Sequence, residues 1–371
     1  MLWKLLFRNA FRHRLRTLLT IFGVAVAVLA FGLLRTVVDA WHAGVSAASA
    51  NRLVTRSAIS LTFFLPIAYM EKIRAIDGVQ AVAHMTWFGG VYIDRKNFFA
   101  NFAVDGRPFL DLYPEFVLAE DQKDAFGKDR KGCVVGRGLA RRFGWKVGDS
   151  ITLQGTIFRG DWPMTVRGIY SGRERTVDEN QLFFHWDYLN ERLKAAAQRR
   201  ANQAGIFVIE IADPHAAAAV SGAIDAAFKN SLAETLTETE RAFQMGFVSM
   251  SEAILVAIRL VSFLIIGIIM AVTANTMIMS VRERMHEFAV FKRHQHAARG
   301  ADGRLSGLIL GESAVICAAG GALGIAGTFP ALRILARYVS NVFPVLDITT
   351  TTLCYDVLTV AAVALTAAVF P

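Results

Sequence analysis

Charged side chains are scarce in this sequence, and cysteine is rarer still. Of its 371 residues, 19% are charged and 54% are hydrophobic, and the mean hydropathy is +0.39. This composition is too apolar for an ordinary soluble domain, and the length allows two or three domains. The three cysteines, Cys133, Cys317 and Cys354, show neither a Cys-x-x-Cys pair nor a Cys/His ligand spacing. The sequence therefore supports neither a disulfide framework nor a structural zinc site.

Nucleotide-binding and hydrolytic motifs are missing as well. No Gly-x-x-x-x-Gly-Lys-Ser/Thr loop occurs, so we expect this chain not to bind ATP through a P-loop. "HEFAV" begins like a zinc-protease helix at His286, but Val290 stands where the second histidine is required. Neither a Gly-x-Ser-x-Gly elbow nor a Ser-x-x-Lys motif is present. We therefore predict no catalytic residues, no metal site and no cofactor bound by this chain.

Four apolar runs are long enough to cross a bilayer. The first starts at Thr17, the second extends over 253–279, the third begins near Leu305 and the fourth near Leu353. An α-helix of about 20 residues spans the roughly 30 Å hydrocarbon core. The first run is longer than the apolar part of a signal peptide and a poor cleavage site follows it, so we expect a retained membrane helix.

Basic residues on two flanks of these runs predict how the chain is oriented. Basic residues concentrate on the cytoplasmic side of membrane helices. Before the first run and after the second, the flanks carry Lys4, Arg8, Arg12, Arg14, Arg16, Arg282, Arg284, Lys292, Arg293, Arg299 and Arg304. We predict a multi-pass membrane protein with a cytoplasmic N-terminus. The net charge of +9 then reflects topology and contact with anionic membrane lipids, so nucleic acid is not an expected partner.

The long segment between the first two runs, about 41–252, is predicted to lie outside the cytoplasm. "GCVV", "MTVRGIY" and "GIFVIEIAD" have strand patterns, and "AAAAVSGAIDAAFKNSL" has that of an amphipathic helix. The ends of the segment, about 40–55 and 238–258, carry helical patterns that continue into the membrane helices. The predicted fold class is an α-helical membrane protein with four transmembrane helices and a mixed α/β extracytoplasmic domain inserted between helices 1 and 2.

Small residues and one acid distinguish the third run. Gly307 and Gly311 are four residues apart, as are Gly320 and Gly324, and this spacing predicts close approach of another helix. Glu312 lies about two turns into the run, where a carboxylate is costly unless it faces protein or water. For Glu312 an intramembrane packing or coupling role and a solvated interfacial position both remain open.

Arg35 and Asp356 lie toward the outer ends of their runs. For both we favour a side chain that reaches the membrane interface over one with a role between helices.

The stretch "SVRERMHEFAVFK", residues 280–292, directly follows the second run. Its charged residues surround a narrow apolar stripe at helical spacing. Such a helix can dock by its stripe in a partner's groove, with its charges setting the orientation. The alternative is an interfacial helix on the lipid headgroups.

These features together resemble the FtsX/MacB type of ABC transporter permease over nearly the whole chain. "NAFRHRLRTLLTIFGVAVAV" is similar to the start of that family's first helix. "VVGRGLARRFGWKVGDSITL" followed by "TVRGIY" is similar to its MacB-like periplasmic core domain. "NTMIMSVRERMHEFAVFK" with "LILGESAVICAAGGALGIAGT" is similar to its FtsX-like permease core.

The resemblance implies three parts. Residues 1–40 form the basic N-terminus and transmembrane helix 1, and residues 41–252 form the MacB-like extracytoplasmic domain with helical stalk ends. Residues 253–371 form the permease core with helices 2–4. The family usually continues into a basic cytoplasmic tail, so we expect helix 4, which ends at Pro371, to be truncated. The polar patch 293–303 also departs from the family's small apolar turn.

The resemblance further implies a coupling helix that rests on an ATPase subunit. It maps to Arg282, Glu283, Arg284, Glu287, Phe288 and Lys292. The ATPase, and not this chain, would bind ATP and Mg, so the chain is expected to be a permease subunit without enzyme activity of its own. Further expected partners are a second permease copy in a homo- or heterodimer, and a periplasmic adaptor or lipoprotein.

The implied function is ATP-driven export, or extraction at the outer face of the bacterial cytoplasmic (inner) membrane, by mechanotransmission. A drug, peptide, lipid or lipoprotein would be the substrate. The alternative is a membrane-anchored sensor, or an FtsX-like regulator of a cell-wall hydrolase, with no transport activity.

Overall fold

The structure, a computed structural model, describes residues 14–174, 176–294, 301–339 and 348–369. The chain divides into two compact units. The helix unit comprises 1–41, 251–339 and 346–371, and the α/β unit comprises 42–250 and 340–345. In chain order the α/β unit therefore follows the first apolar helix and precedes the second.

The described α-helices are α1 (Arg14–Ala47), α2 (Tyr69–Arg74), α3 (Arg107–Leu112), α4 (Glu120–Lys128), α5 (Arg137–Phe143), α6 (Trp186–Ala196), α7 (Ala217–Ala227), α8 (Glu240–Met250), α9 (Glu252–His294), α10 (Ala301–Val339) and α11 (Thr350–Val369).

The described strands are β1 (Arg52–Ser57), β2 (Leu65–Pro66), β3 (Val79–Trp87), β4 (Gly90–Tyr92), β5 (Ala100–Val104), β6 (Phe116–Val117), β7 (Gly132–Gly136), β8 (Ser150–Gly155), β9 (Gly160–Gly172), β10 (Gln181–His185), β11 (Gln203–Ala204), β12 (Ile206–Ile211) and β13 (Thr235–Thr239).

One mixed sheet organises the described part of the α/β unit. Its strand order is β13-β1-β12-β3-β5-β10-β7-β9-β8-β4, with β6 added beside β9. The pairs β5–β10 and β7–β9 are parallel, and the other pairs along this order are antiparallel. The first strand, β1, and the last, β13, are neighbours, so the two ends of the unit meet at one edge of the sheet.

Both faces of this sheet are covered by helices, and β12 shows how the sequence produces this. Ile206 and Val208 face a core that includes Phe109 of α3, whereas Phe207 and Ile209 face a core that includes helices α2 and α7. A strand buried on both faces needs apolar residues at consecutive positions, because its side chains alternate between the faces. This confirms the strand predicted from "GIFVIEIAD". The strand predicted at "GCVV" and the helix predicted from "AAAAVSGAIDAAFKNSL" are likewise confirmed, as β7 and α7, and α7 ends at Ala227.

The helices at the two ends of the α/β segment do not have the bounds predicted from the sequence, about 40–55 and 238–258. Helix α1 ends at Ala47, and Arg52–Ser57 form β1 instead, because these residues pair with β12 on one side and β13 on the other. At the other end, α8 and α9 are separate helices divided at Ser251.

In the described residues, four helices are long and apolar enough to cross a membrane. Their apolar spans are Arg14–Trp41, Glu252–Met279, Ser313–Ala336 and Thr350–Ala367, on α1, α9, α10 and α11. A shared apolar cluster joins them and includes Val24, Met277, Cys317 and Val363. The prediction of four apolar helices beside a mixed α/β domain is thus confirmed.

Candidate functional site in the two units

Helix α9 contains both the second apolar span and the predicted coupling stretch. The helix has 43 residues, of which the apolar span takes 28. At 1.5 Å per residue the whole helix is about 65 Å long, so about 20 Å extends beyond the apolar span. Arg282 is exposed. The side chains of Glu283, Arg284, Glu287, Phe288 and Lys292 lie outside the described part of the structure.

Two of the four predicted packing glycines lie directly against α1. A Cβ atom on Gly320 would stand 2.7 Å from Val24 Cβ, and one on Gly324 would stand 2.7 Å from the carbonyl oxygen of Ala25. Such distances leave no room for a side chain, so the glycines permit this close contact between α10 and α1. Gly311 is half-buried. The surroundings of Gly307 and Glu312 lie outside the described residues.

Sequence analysis missed a second glycine contact on α10. A Cβ on Gly321 would stand 2.4 Å from Val360 Cγ2, so α10 also packs closely on α11. On α1, Gly32 packs against Thr328 and Asp356. The spacing of Gly32 and Thr36, two small residues four apart, is the signal that could have identified this side of the contact.

Polar contacts also join α1 to α11. Asp39 accepts hydrogen bonds from the hydroxyls of Thr349 and Thr352, at 2.9 and 2.6 Å. Arg35 Nε lies 3.7 Å from Asp39 Oδ1, and the guanidinium carbon lies 4.5 Å from the ring centre of Tyr355. Arg35 therefore has the interhelix role that we judged less favoured from sequence. The beginning of α11 is therefore joined to α1 by hydrogen bonds and a cation–π contact as well as by apolar packing.

A second set of residues, which we call the Arg52 cluster, lies where the two ends of the α/β unit meet. The cluster comprises Arg52, Tyr113, Glu115 and Glu240. Arg52 is 4% exposed, and its Nη1 and Nη2 atoms donate to the two carboxylate oxygens of Glu115 at 3.1 and 2.5 Å. Its Nε donates to Glu240 Oε2 at 2.8 Å. The ring of Tyr113 lies 4.2 Å from the guanidinium carbon.

The Arg52 cluster connects three separate parts of the chain. Arg52 begins β1, just after α1, and Glu240 begins α8, just before α9. Glu240 Oε2 also accepts from the backbone N–H of Ser49 at 3.0 Å. Glu115 adds the segment between α3 and β6. The incoming and outgoing chains of the α/β unit are thus held together by charge-assisted hydrogen bonds.

Burial and the neighbouring charges keep Arg52 and Tyr113 each in one protonation state. Burial opposes the charge on Arg52, but its hydrogen bonds to Glu115 and the charge of Glu240 outweigh burial and raise the Arg52 pKa above its ordinary value. Burial, followed by the charge of Glu240, raises the pKa of Tyr113 well above its ordinary value. The guanidinium therefore stays charged and the phenol neutral across the physiological pH range.

Sequence analysis did not identify the Arg52 cluster. Its ion pairs join residues 63 and 188 positions apart, and neither spacing forms a motif. Among the described residues there is also no group of three or more His, Cys, Asp or Glu side chains that could hold a metal ion.

Two solved structures are each similar to about half of this chain. One is the periplasmic region of MacB from Actinobacillus actinomycetemcomitans, at 11% identity and a TM-score of 0.39, covering 54% of this chain and 94% of that one. The other is the extracellular domain of the noncanonic ABC-type transporter YknZ from Gram-positive bacteria, at 9% identity and a TM-score of 0.38, covering 51% of this chain and 100% of that one.

A comparison with protein families gives the identification. A search among curated proteins finds no match. The family model of the MacB-like periplasmic core domain, however, matches residues 17–227, which is more than half of the 371 residues. The chain is therefore a membrane protein that belongs to the family of FtsX/MacB-type ABC transporter permeases.

Proposed function

We propose that this chain is the permease subunit of an ABC transporter and that a separate ATPase subunit drives it. The observation that carries the proposal is the uninterrupted helix α9, which leads from an apolar span into the charged stretch 280–292. A helix that continues from a membrane span is a stiff lever, because its backbone hydrogen bonds lie within the helix itself. Force applied to the charged stretch would therefore be transmitted along the second span.

The Arg52 cluster supports the same mechanism at the other end of the lever. Helix α9 connects to the α/β unit through α8, whose first residue, Glu240, is bound to Arg52. A displacement of α8 would therefore move the whole sheet and would not separate the strands at its edge, β13 and β1. The α/β unit would act as one body on the outer side of the membrane.

The proposal places the N-terminus and the charged stretch of α9 in the cytoplasm of a bacterial cell, with the α/β unit outside its cytoplasmic membrane. ATP and Mg would bind to the ATPase subunit. A second permease copy, identical or different, would complete the transporter. The substrate, a drug, peptide, lipid or lipoprotein, would be exported or extracted at the outer face, with an adaptor or lipoprotein as a further partner.

Distance spectroscopy on the complex with its ATPase tests this mechanism. A spin label at Asp77→Cys, an exposed position of the α/β unit, is introduced into a Cys354→Ser background, because Cys354 is also exposed. We expect the distance between labels on the two permease copies to change when ATP is added. The Phe288→Asp variant, altered in the proposed coupling helix, is expected to show no change.

The lever would be excluded if the complex hydrolysed ATP while the distance distribution between the two labels stayed the same. A regulator without transport activity would instead retain the distance change but show no substrate movement in reconstituted vesicles.

A further inference from the structure

Asp356 is a buried acid within an apolar span of the helix unit. It lies on α11, inside the span Thr350–Ala367, and its exposed fraction is 0%. No described residue donates a hydrogen bond to either of its carboxylate oxygens. The expectation that Asp356 reaches the membrane interface was therefore wrong, because the side chain faces the neighbouring helices. An ionised carboxylate in such a position costs several kcal/mol unless it is paired.

Three helices meet at this side chain. A Cβ atom placed on Gly32 of α1 would stand 3.0 Å from Asp356 Oδ2 and 3.2 Å from the hydroxyl oxygen of Thr328 on α10. The backbone of α1 thus packs directly against the carboxyl group. We call this contact of Gly32, Thr328 and Asp356 the Asp356 junction.

The hydroxyl groups of Thr328 and Thr36 have no hydrogen to give to Asp356. Thr328 donates its hydroxyl hydrogen to the carbonyl oxygen of Gly324 at 2.9 Å. Thr36, one turn from Gly32 on α1, donates to the carbonyl oxygen of Gly32 at 2.7 Å. Neither hydroxyl therefore has a hydrogen left for Asp356, and no hydrogen bond from the described residues stabilises the charged form of the carboxyl group.

The nearby charges are directed elsewhere. On α1, Arg35 and Asp39 lie 3.7 Å apart as an ion pair, and the Arg35 guanidinium covers the ring of Tyr355 on α11. On α10 and α9, Arg333 and Arg259 are exposed. No described cation is therefore placed to neutralise an ionised Asp356.

We propose that Asp356 is a proton-binding site of the membrane helices. With the junction closed, Asp356 holds a proton as a neutral carboxylic acid. When α1 separates from α10 and α11, water reaches the group and takes the proton, leaving a carboxylate and a hydronium ion. Proton release is thereby linked to opening of the junction.

A proton fits this site better than a metal ion. Hard metal cations require several oxygen ligands around them, at about 2 to 2.6 Å. At the Asp356 junction the Gly32 backbone already packs against Oδ2, and Thr328 contributes a single hydroxyl oxygen to this contact. A proton needs no such space, because it is held on the oxygen itself.

Infrared difference spectroscopy of the full chain in lipid vesicles tests the proposal at neutral pH. Subtraction of the Asp356→Asn spectrum from that of the parent chain is expected to show the carbonyl band of one protonated carboxylic acid. Asp39→Asn, which alters an acid of the same unit that already accepts two hydrogen bonds, is the matched control and should leave that band unchanged. Gly32→Ala would press a methyl group against Oδ2, so we expect it to shift the band.

Thermal unfolding supplies a second readout. Asparagine has the shape of the neutral acid but cannot ionise in the unfolded chain, so the Asp356→Asn midpoint at neutral pH should lie above that of the parent. The parent midpoint should fall as the pH is raised from about 4, where the unfolded carboxyl ionises, and level off where the folded carboxyl ionises, while that of Asp356→Asn should not share this fall. Absence of the acid band in the parent would overturn the proposal. So would a parent midpoint that rises with added sodium ions while the Asp356→Asn midpoint does not, since that result assigns the site to a metal cation.

Discussion

Replacement of Arg52 by methionine tests whether the Arg52 cluster holds the two ends of the α/β unit together. Methionine retains much of the apolar volume but removes three charge-assisted hydrogen bonds to Glu115 and Glu240. It also removes the bond at 2.9 Å from Nη1 to the backbone oxygen of Leu112. Both carboxylates would lose the one cation that the described structure places between them.

The burial of the two carboxylates sets the size of the effect. Loss of one partner from a buried ion pair costs about 3–5 kcal/mol, because the remaining charge stays buried. The Glu240 side chain is 6% exposed and cannot regain water, whereas that of Glu115 is 23% exposed and partly can. We therefore expect a loss near the lower value, about 3 kcal/mol. For a unit of this size, such a loss lowers the unfolding midpoint by roughly 6–12 °C.

Tryptophan fluorescence during heating of the full chain measures this midpoint. Four of the six tryptophans, Trp87, Trp145, Trp162 and Trp186, belong to the α/β unit, so its unfolding dominates the signal. Arg74→Met is the matched control, because its ion pair with Glu71 is exposed on α2. An exposed pair of this kind contributes about 0–1 kcal/mol.

A double variant separates loss of the pair from loss of packing. Added to Arg52→Met, Glu240→Gln removes the charge left without a partner, so it should restore part of the midpoint. The Arg52 cluster does not hold the two ends of the unit together if Arg52→Met lowers the unfolding midpoint no more than Arg74→Met does, or if adding Glu240→Gln to Arg52→Met lowers the midpoint further.

Three further predictions concern packing, thiol burial and topology. Gly324→Ala should destabilise the helix unit by about 1–3 kcal/mol, because the new methyl group would overlap Val28 and the backbone of Ala25. Gly267→Ala is the control and should be nearly neutral, since no atom lies within 4 Å of the position its methyl group would take. The thermal loss of helical circular dichroism measures the stability of both variants. Burial, followed by the charge of Asp129, raises the pKa of the Cys133 thiol. In a Cys354→Ser background a maleimide at mildly alkaline pH should therefore modify Cys133 only after denaturation, and rapid modification of Cys133 in the native chain would contradict its burial. In intact cells and in the Cys354→Ser background, a membrane-impermeant maleimide should modify Asp77→Cys, while Arg282→Cys should react only once the cells are opened. The reverse pattern would invert the proposed topology.

Much of the fold could be predicted because it depends on local patterns. The run "GIFVIEIAD" predicts β12 since its apolar residues serve both faces of one strand, and "AAAAVSGAIDAAFKNSL" predicts α7 by its helical period. Gly320 and Gly324 were identified by their spacing alone, and the structure places both against α1.

The remaining features depend on contacts that no local pattern encodes. The bond between Arg52 and Glu240 joins residues 188 positions apart and exists only because β1 and β13 are neighbours in the sheet. For Asp356, counting residues along the run estimates the depth of the side chain in the membrane. It does not tell which side of α11 faces α1 and α10, and this side decides whether the acid is buried or solvated.

Recovery of a bound ATPase from the host cell tests whether this chain is the permease subunit of an ABC transporter. The full chain is purified in mild detergent from its host beside Phe288→Asp, and the proteins bound to each are identified by mass spectrometry. Phe63→Asp, a substitution at a 55% exposed phenylalanine of the α/β unit, controls for the change of charge. We expect a P-loop ATPase to be recovered with the parent chain and with Phe63→Asp, and to be lost with Phe288→Asp. Absence of an ATPase from all three samples would contradict the proposed permease function, and its equal recovery with Phe288→Asp would contradict the proposed coupling helix.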